Sequence, residues 1–266
     1  MNEIIADRTG SILRVQLNRP EKKNAMTLSM YATLADLLND AAKDDRIRVV
    51  LLHGAGDSFT AGNDLQDFMN NPPEASDSPQ ERLIHAMINF DKPLVAAVHG
   101  AAVGGGTTML THCDFVYAGE SAKFQLPFIN LALVPEFGAT YAMAAQIGYL
   151  PAAELILLGL PFDARRAAEL GLVTRVVPDH ELLALATNTA QRLAEKPAGA
   201  LQACKMLMKR SSREQLETAA RVENEEFVSR LRSADAKEAF TAFFEKRAPD
   251  FTRTKKTAAT ESTVTR

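Results

Sequence analysis

The stretch Lys92 to Leu110, KPLVAAVHGAAVGGGTTML, constrains this chain more than any other. After Pro93, the run Leu94-Val95-Ala96-Ala97-Val98 has the length and valine content of a buried strand. Gly100 and the triplet Gly104-Gly105-Gly106 follow, and Thr107-Thr108-Met109-Leu110 can begin a helix. Glycine has no Cβ, so the junction accepts left-handed backbone and lets a bound group approach the main chain closely. A helix opening there aims unsatisfied N–H groups and the positive end of its dipole at one point. Such a junction suits a negative charge, and a strand–glycine–helix turn serves packing equally well. GAAVGGG lacks the G-x-G-x-x-G spacing of a dinucleotide fingerprint, and no G-x-x-x-x-G-K-S/T phosphate loop occurs in the chain.

A second junction of this kind lies upstream. Residues 47–53 read as a strand, apolar enough to be buried on both faces. Gly54-Ala55-Gly56-Asp57-Ser58-Phe59-Thr60-Ala61-Gly62-Asn63-Asp64-Leu65 follows and ends where a helix can start. Residues 3–18 form a hairpin in which Leu13, Val15 and Leu17 alternate with polar residues, with Asp7-Arg8-Thr9-Gly10 as the turn. A polar loop over 19–26 carries Lys22 and Lys23, and Thr27 caps a helix with Met30, Leu34, Leu37, Leu38 and Ala41 at helical spacing. Asn70-Asn71-Pro72-Pro73 and the run to Pro79 read as a mobile, lid-like loop before a helix over 80–90. The repeated strand, glycine turn and helix make this an α/β chain.

Downstream, a strand at 114–117 precedes helices around 139–148, 152–159 and 163–170 and a strand at 174–177. From 179 onward the pattern is helical, broken near Pro197 and Ser211-Ser212. This divides the chain into a core over 1–196, a helical region over 197–252 and a polar tail over 253–266, expected to be disordered. Phe227, Leu231, Phe240, Phe243 and Phe244 exceed what a helical hairpin can bury alone. Either a partner subunit or the chain's own core covers them.

Charge and cysteine usage remove several classes. A net charge of −3 over 266 residues leaves no electrostatic footprint for nucleic acid. No apolar run nears the roughly 20 residues needed to span a membrane, and the first residues lack a secretion signal. Cys113 and Cys204 make no disulfide framework, and with His53, His99 and His112 they show no metal-ligand spacing. That cysteine usage leads to the expectation of a reducing, cytoplasmic setting, and the tail does not end in a Ser-Lys-Leu-type peroxisomal address.

Together, Leu17-Asn18-Arg19-Pro20…Asn24-Ala25, Phe59-Thr60-Ala61-Gly62-Asn63-Asp64-Leu65 and Lys92-Pro93…Val98-His99-Gly100…Gly104-Gly105-Gly106 resemble the crotonase superfamily, the enoyl-CoA hydratase/isomerase family. Phe115-Val116-Tyr117-Ala118, Ala168-Glu169-Leu170-Gly171-Leu172-Val173 and Phe244-Glu245-Lys246-Arg247 extend the match from about Ile12 to Phe251. The resemblance implies an α/β crotonase fold, a spiral of ββα units with a C-terminal helical trimerisation region, as a homotrimer or a dimer of trimers. It implies an acyl-CoA thioester as substrate, coenzyme A entering as part of it and no separate cofactor. On matching positions the oxyanion hole would be the N–H groups of Asn63 and Gly105. Lys22, Lys23, Ala25, Ala61, Gly62, Asp64, Leu65, Gly104 and Phe128 would contact substrate or CoA. The two lysines could pair with phosphates or could be plain solvated surface.

Departures narrow this expectation. Hydration needs one carboxylate to activate water and another to deliver a proton. At the family's two acid positions this chain has Thr108 and, after Pro127, Phe128. One acid remains, in Leu126-Pro127-Phe128-Ile129-Asn130-Leu131…Val134-Pro135-Glu136-Phe137-Gly138, which is similar to the P-F-x-x-L…P-E-G pattern of peroxisomal-type Δ3,Δ2-enoyl-CoA isomerases. Their single base would correspond to Glu136, with Phe137 an insertion before Gly138. A proline-glutamate pair at a helix start is also favoured by the dipole alone. Thioester hydrolysis or dehalogenation would need a further polar group, for which His85, Asp64 and Asp67 are candidates. Asp64 is expected to cap a helix and His85 to pack. A non-catalytic acyl-CoA-binding module is the remaining alternative.

Overall fold

The computed structural model describes residues 2–71 and 77–252, so the tail over 253–266 and the centre of the proline-rich loop lie outside the described residues. Strands β1 (Ile4–Thr9) and β2 (Ile12–Leu17) pair antiparallel with Thr9 opposite Ile12. The hairpin is tighter than the sequence suggested. Asp7, Arg8 and Thr9 belong to the ladder, and Gly10 and Ser11 alone make the turn. Helix α1 (Leu28–Lys43) starts where expected because Thr27 accepts the Met30 N–H at 3.2 Å.

Strand β3 (Val49–Gly54), helices α2 (Leu65–Asn70) and α3 (Pro79–Ile88), and strand β4 (Leu94–Val98) follow. The glycine stretch then differs from expectation. A short strand β5 (Ala101–Val103) intervenes, and helix α4 (Gly105–Thr108) begins at Gly105 rather than Thr107, continuing as a 3₁₀ turn over Met109–His112. Local pattern could not announce β5, because its pairing partner, β7 (Lys123–Gln125), lies beyond β6 (Phe115–Gly119). Next come α5 (Ala139–Ile147), α6 (Tyr149–Leu158), β8 (Phe162–Asp163), α7 (Ala164–Leu170) and β9 (Arg175–Val177). Four helices close the chain: α8 (Asp179–Ala194), α9 (Ala198–Lys209), α10 (Arg213–Leu231) and α11 (Ala234–Phe244).

The larger sheet runs β1-β2-β3-β4-β6-β9, parallel after the first hairpin, and β5-β7-β8 form a smaller one. Alternation along the strands explains why β3 and β4 are buried throughout. Val49, Leu51, Val95 and Ala97 face Leu182, Ala186 and Ala190 of α8, whereas Val50, Leu52, Leu94, Ala96 and Val98 enter the main core with α1 and α3. Leu216, Ala220, Phe227, Ala236 and Phe240 of α10 and α11 join that same core. Phe227 and Phe240 thus pack on the chain itself, Leu231 lies half-buried against the core, and Phe243 and Phe244 stay 56% and 46% exposed.

One buried cation pins α9 to the sheet. Lys205 pairs with Asp114 at 2.7 Å and donates to the Lys92 carbonyl at 2.8 Å. Lys92 in turn donates to the carbonyls of Ala41 and Asp44. Both ammonium groups are supplied with acceptors, as burial of charge requires.

Candidate active site

The loops after β2 and β3 are tied together by buried polar side chains. Asn24 donates to the carbonyls of Ala55 and Ser58 at 2.8 and 2.7 Å, and the Thr60 hydroxyl donates to the Asn24 carbonyl at 2.7 Å. Arg19 pairs with Asp64 at 2.9 Å and Glu3 at 3.0 Å. Asp64 also caps α2, accepting from Gln66 and Asp67 at 3.1 Å each, as expected from its place before the helix. Charge pairing and these amide bonds hold its carboxyl below the usual range despite partial burial.

This network presents the turn at Ala61-Gly62-Asn63 to the second glycine junction. Gly62 has φ 86°, and a Cβ there would meet the Val103 carbonyl oxygen at 2.7 Å. Only glycine lets the loop lie against β5 this closely. Among the described residues, neither the Asn63 N–H nor the Gly105 N–H donates to a backbone acceptor. Both residues line a cleft of about 700 Å³.

Of the residues expected to contact substrate, Lys22, Ala25, Ala61, Gly62, Asp64, Leu65, Gly104 and Phe128 line that cleft. Lys23 does not; it is exposed at φ 49°, and its carbonyl accepts the Ala61 amide. Arg247, near the end of the described chain, supplies a second cation to the cleft besides Lys22. Asp64 is the one carboxylate among the lining residues described, and it is already committed to Arg19 and α2. Asp67 accepts the Leu28 amide, and His85 is exposed rather than packed, so neither offers a second polar group to the cleft. Thr108 is fully buried, and Phe128 covers the other acid position with an aromatic ring.

Glu136 lies behind the Gly105 wall rather than on the cleft surface. Its Oε1 is 2.7 Å from where a Gly105 Cβ would stand, and that oxygen is buried without a hydrogen-bond partner. The absence of a side chain at Gly105 is what lets a carboxylate stand against this peptide. Tyr31, fully buried on α1, donates its hydroxyl to Asn63 Oδ1 at 2.5 Å. That bond leaves the Asn63 amide nitrogen to serve the Glu136 carboxyl, whose bond with Asn63 favours the ionised form.

Burial works in the opposite direction and prevails. It pushes Glu136 up to about 7, with the charge of Glu223 adding to the rise. Glu223 comes from α10 and is bonded to Thr140 at the start of α5. Burial raises it to about 7 as well, against the Thr140, Gly138 and Ala139 donors that favour its charge. Tyr31 is raised well above its ordinary value by burial and by the negative Glu136.

The residue inserted after Glu136 shapes this wall. Phe137 has φ 68° and Gly138 φ 65°, two successive left-handed residues between Glu136 and α5. A non-glycine residue in that region costs on the order of 1–2 kcal/mol. Here the buried Phe137 ring and a 2.7 Å bond from His112 Nε2 to the Phe137 carbonyl hold the turn. Burial drives His112 down to about 3, which leaves a neutral ring donating that bond.

Sequence reasoning missed Tyr31, His112 and Glu223. Tyr31 follows Met30 on the buried face of α1, and Glu223 falls on the stripe Leu216, Ala220, Glu223, Phe227. A titratable residue on an apolar helical stripe was the available signal. His112 carried none, because its partner is a carbonyl 25 residues on. Among the described residues no three His, Cys, Asp or Glu side chains converge as metal ligands, and no helix is long and apolar enough to cross a membrane.

Residues 7–254 match the family profile described as Enoyl-CoA hydratase/isomerase. The chain is 35% identical over 259 residues to the 1,2-epoxyphenylacetyl-CoA isomerase of Escherichia coli, covering 95% of this chain and 99% of the relative. It is 33% identical to enoyl-CoA delta isomerase 2 of Rattus norvegicus, over 86% of this chain and 59% of that longer protein. Other relatives of similar identity bear hydratase names. The crystal structure of an enoyl-CoA hydratase/isomerase from Pseudoalteromonas atlantica superposes with a TM-score of 0.91 at 40% identity, covering 94% of this chain and all of that one.

Proposed function

The chain belongs to the enoyl-CoA hydratase/isomerase family, and we propose that within it this protein moves the double bond of a 3-enoyl-CoA to the 2-position with Glu136 as its single base. One observation carries the reading: an unpartnered, buried carboxylate oxygen stands against the Gly105 peptide, while Thr108 and Phe128 replace both hydratase acids. Glu136 removes a proton from C2 and the electron pair moves onto the thioester oxygen, giving a dienolate. The Asn63 and Gly105 N–H groups donate to that oxygen as charge develops on it. The same carboxyl then returns the proton at C4, so one acid serves both steps. A value near 7 suits it to both roles, and the surrounding Phe128, Leu131 and Leu133 keep water from adding to the alkene.

Glu223 does not complete a hydratase pair in this reading. It lines neither the cleft nor the small cavity beside Glu136, and its Oε1 is taken by Thr140. Lys22 at the cleft is the group suited to the phosphates of CoA, whereas the Arg247 guanidinium is held by Glu238 and Glu245. Exposed Leu150, Leu157, Leu158, Leu207 and Met208 on α6 and α9 support a homotrimer or a dimer of trimers, to be read as mass by light scattering.

The test uses purified protein with 3-hexenoyl-CoA and, separately, 2-hexenoyl-CoA. A 2-enoyl-CoA of unchanged mass, absent with Glu136→Gln, is the expected result. A product heavier by one water would mean a hydratase. Release of free CoA would mean a hydrolase, and tight binding without turnover a binding module.

A further inference from the structure

An acid on an apolar stripe needs a reason to stay there, because burying a carboxylate is costly unless it is bonded or neutral. Glu223 is 5% exposed between Ala220 and Phe227 on α10. Its Oε1 accepts the Thr140 N–H at 2.7 Å and the Thr140 hydroxyl at 2.6 Å. These donors belong to the first turn of α5, whose N-cap, Gly138, has no side chain to offer. Glu223 therefore does from another helix what a capping residue does locally. The bonded terminus is separated from Glu136 only by Phe137 and Gly138, the two left-handed residues of the turn. Glu223 Oε2 and Glu136 Oε1 are both buried without a partner.

We propose that Glu223 is a positioning residue for Glu136: bonded to Thr140, it fixes the turn that carries the base and keeps a second carboxylate beside it. The inference rests on Glu136 being the base. The charge of Glu223 opposes ionisation of Glu136, and the opposition is reciprocal. Two other ionisable groups face this wall. Tyr31 on α1 is held neutral by burial, and the His112 ring, across the Phe137 carbonyl, is neutral as well. Phe68 of α2, Gln80 and Ile84 of α3, and Ala220, Asn224 and Phe227 of α10 line the small cavity beside Glu136, and none of them titrates. The two carboxyls titrate as a coupled pair, so deleting one charge must register in the other.

Glu223→Gln keeps an acceptor for Thr140 while removing the charge. The acid limb of kcat/KM for 3-hexenoyl-CoA should move down by about one pH unit. Carbon-13 NMR of the glutamate carboxyls, recorded on the free protein, should show the Glu136 midpoint falling equally. Glu136→Gln should lower the Glu223 midpoint by the same amount, a measurement that stands even where Glu223→Gln folds poorly. Unmoved midpoints in both variants, or a lowered Tm with an unmoved limb, would overturn the proposal. Shifted midpoints in a protein that does not isomerise 3-hexenoyl-CoA would support the carboxylate pairing and remove the isomerase reading.

Discussion

The wall of the cleft and the layer behind it are built from different materials. One is main chain: the Asn63 and Gly105 amides, set by glycine turns and by a network that includes Asn24, Thr60 and Arg19. The other is a side chain, Glu136, whose behaviour depends on burial, on Tyr31 and Asn63, and on an acid from a distant helix. The first wall is specified by backbone geometry that glycine turns and a few buried polar side chains hold in place. The second is a poised charge that any nearby substitution can retune. In the proposed reaction such a site would hold the thioester oxygen in one fixed manner while the chemistry is decided by the carboxyl behind it.

Breaking the side-chain layer should have the largest effect. Glu136→Gln should lower kcat on 3-hexenoyl-CoA by roughly 10³-fold or more, the upper part of the range for a lost general base, with KM little changed. An unaltered kcat would exclude Glu136 as the base. The backbone wall should come next. Gly105→Ala introduces a Cβ 2.7 Å from Glu136 Oε1 and 3.0 Å from the Tyr31 hydroxyl. The resulting displacement should remove about 3 kcal/mol of transition-state stabilisation, measured as kcat/KM. Gly171→Ala, whose Cβ would meet nothing within 4 Å but whose φ is 85°, serves as a control for backbone strain alone.

The poised charge also has a stability signature. Folded Glu136 keeps its proton up to about 7, whereas the unfolded chain releases it near 4.5. The native state therefore binds the extra proton between those values, and this group's contribution to stability declines as pH rises through that window. Glu136→Gln removes the penalty. It should be more stable than the parent at pH 8, by on the order of 3 kcal/mol in urea unfolding, and nearly equal to it at pH 4.5. Equal stability at both pH values would mean that Glu136 is solvated. The same group gives kcat/KM an acid limb near pH 7, with activity rising as the carboxyl ionises. The smallest effect belongs to the rim: Lys22→Ala should raise KM for acyl-CoA a few-fold at low salt and less at high salt, with kcat unchanged.

Legibility followed the same division. The glycine junctions, the Thr27 cap, the Asp64 cap and the buried strands were readable because they are local: each is written within a few consecutive residues. The β1–β2 turn was misjudged because Asp7-Arg8-Thr9-Gly10 has turn-forming composition, yet pairing with Ile12, Leu13 and Arg14 holds Asp7, Arg8 and Thr9 in strand. Strand β5 and the early start of α4 escaped for a similar reason, since their partners are distant. Glu136 could be singled out by position, but its environment could not. Glu223, 83 residues beyond Thr140, Tyr31 beneath Asn63, and His112 under Phe137 are contacts across the fold. Lys23 looked equivalent to Lys22 in sequence. At φ 49°, it is exposed and does not line the cleft that Lys22 lines.

The span between Thr140 and Glu223 also orders events on the ribosome. The strands, both amides and Glu136 itself are all made before α10 has been synthesised. A nascent chain halted at that stage has both glycine junctions encoded in full but an open flank beside the carboxylate, where Ala220 and Phe227 belong. Water reaching that flank would restore an ordinary acid. Premature truncation ahead of α10 would also strip Phe227, Ala239 and Phe243 from the cleft and Leu216, Ala220 and Phe240 from the core, so such a fragment should neither bind nor process a thioester.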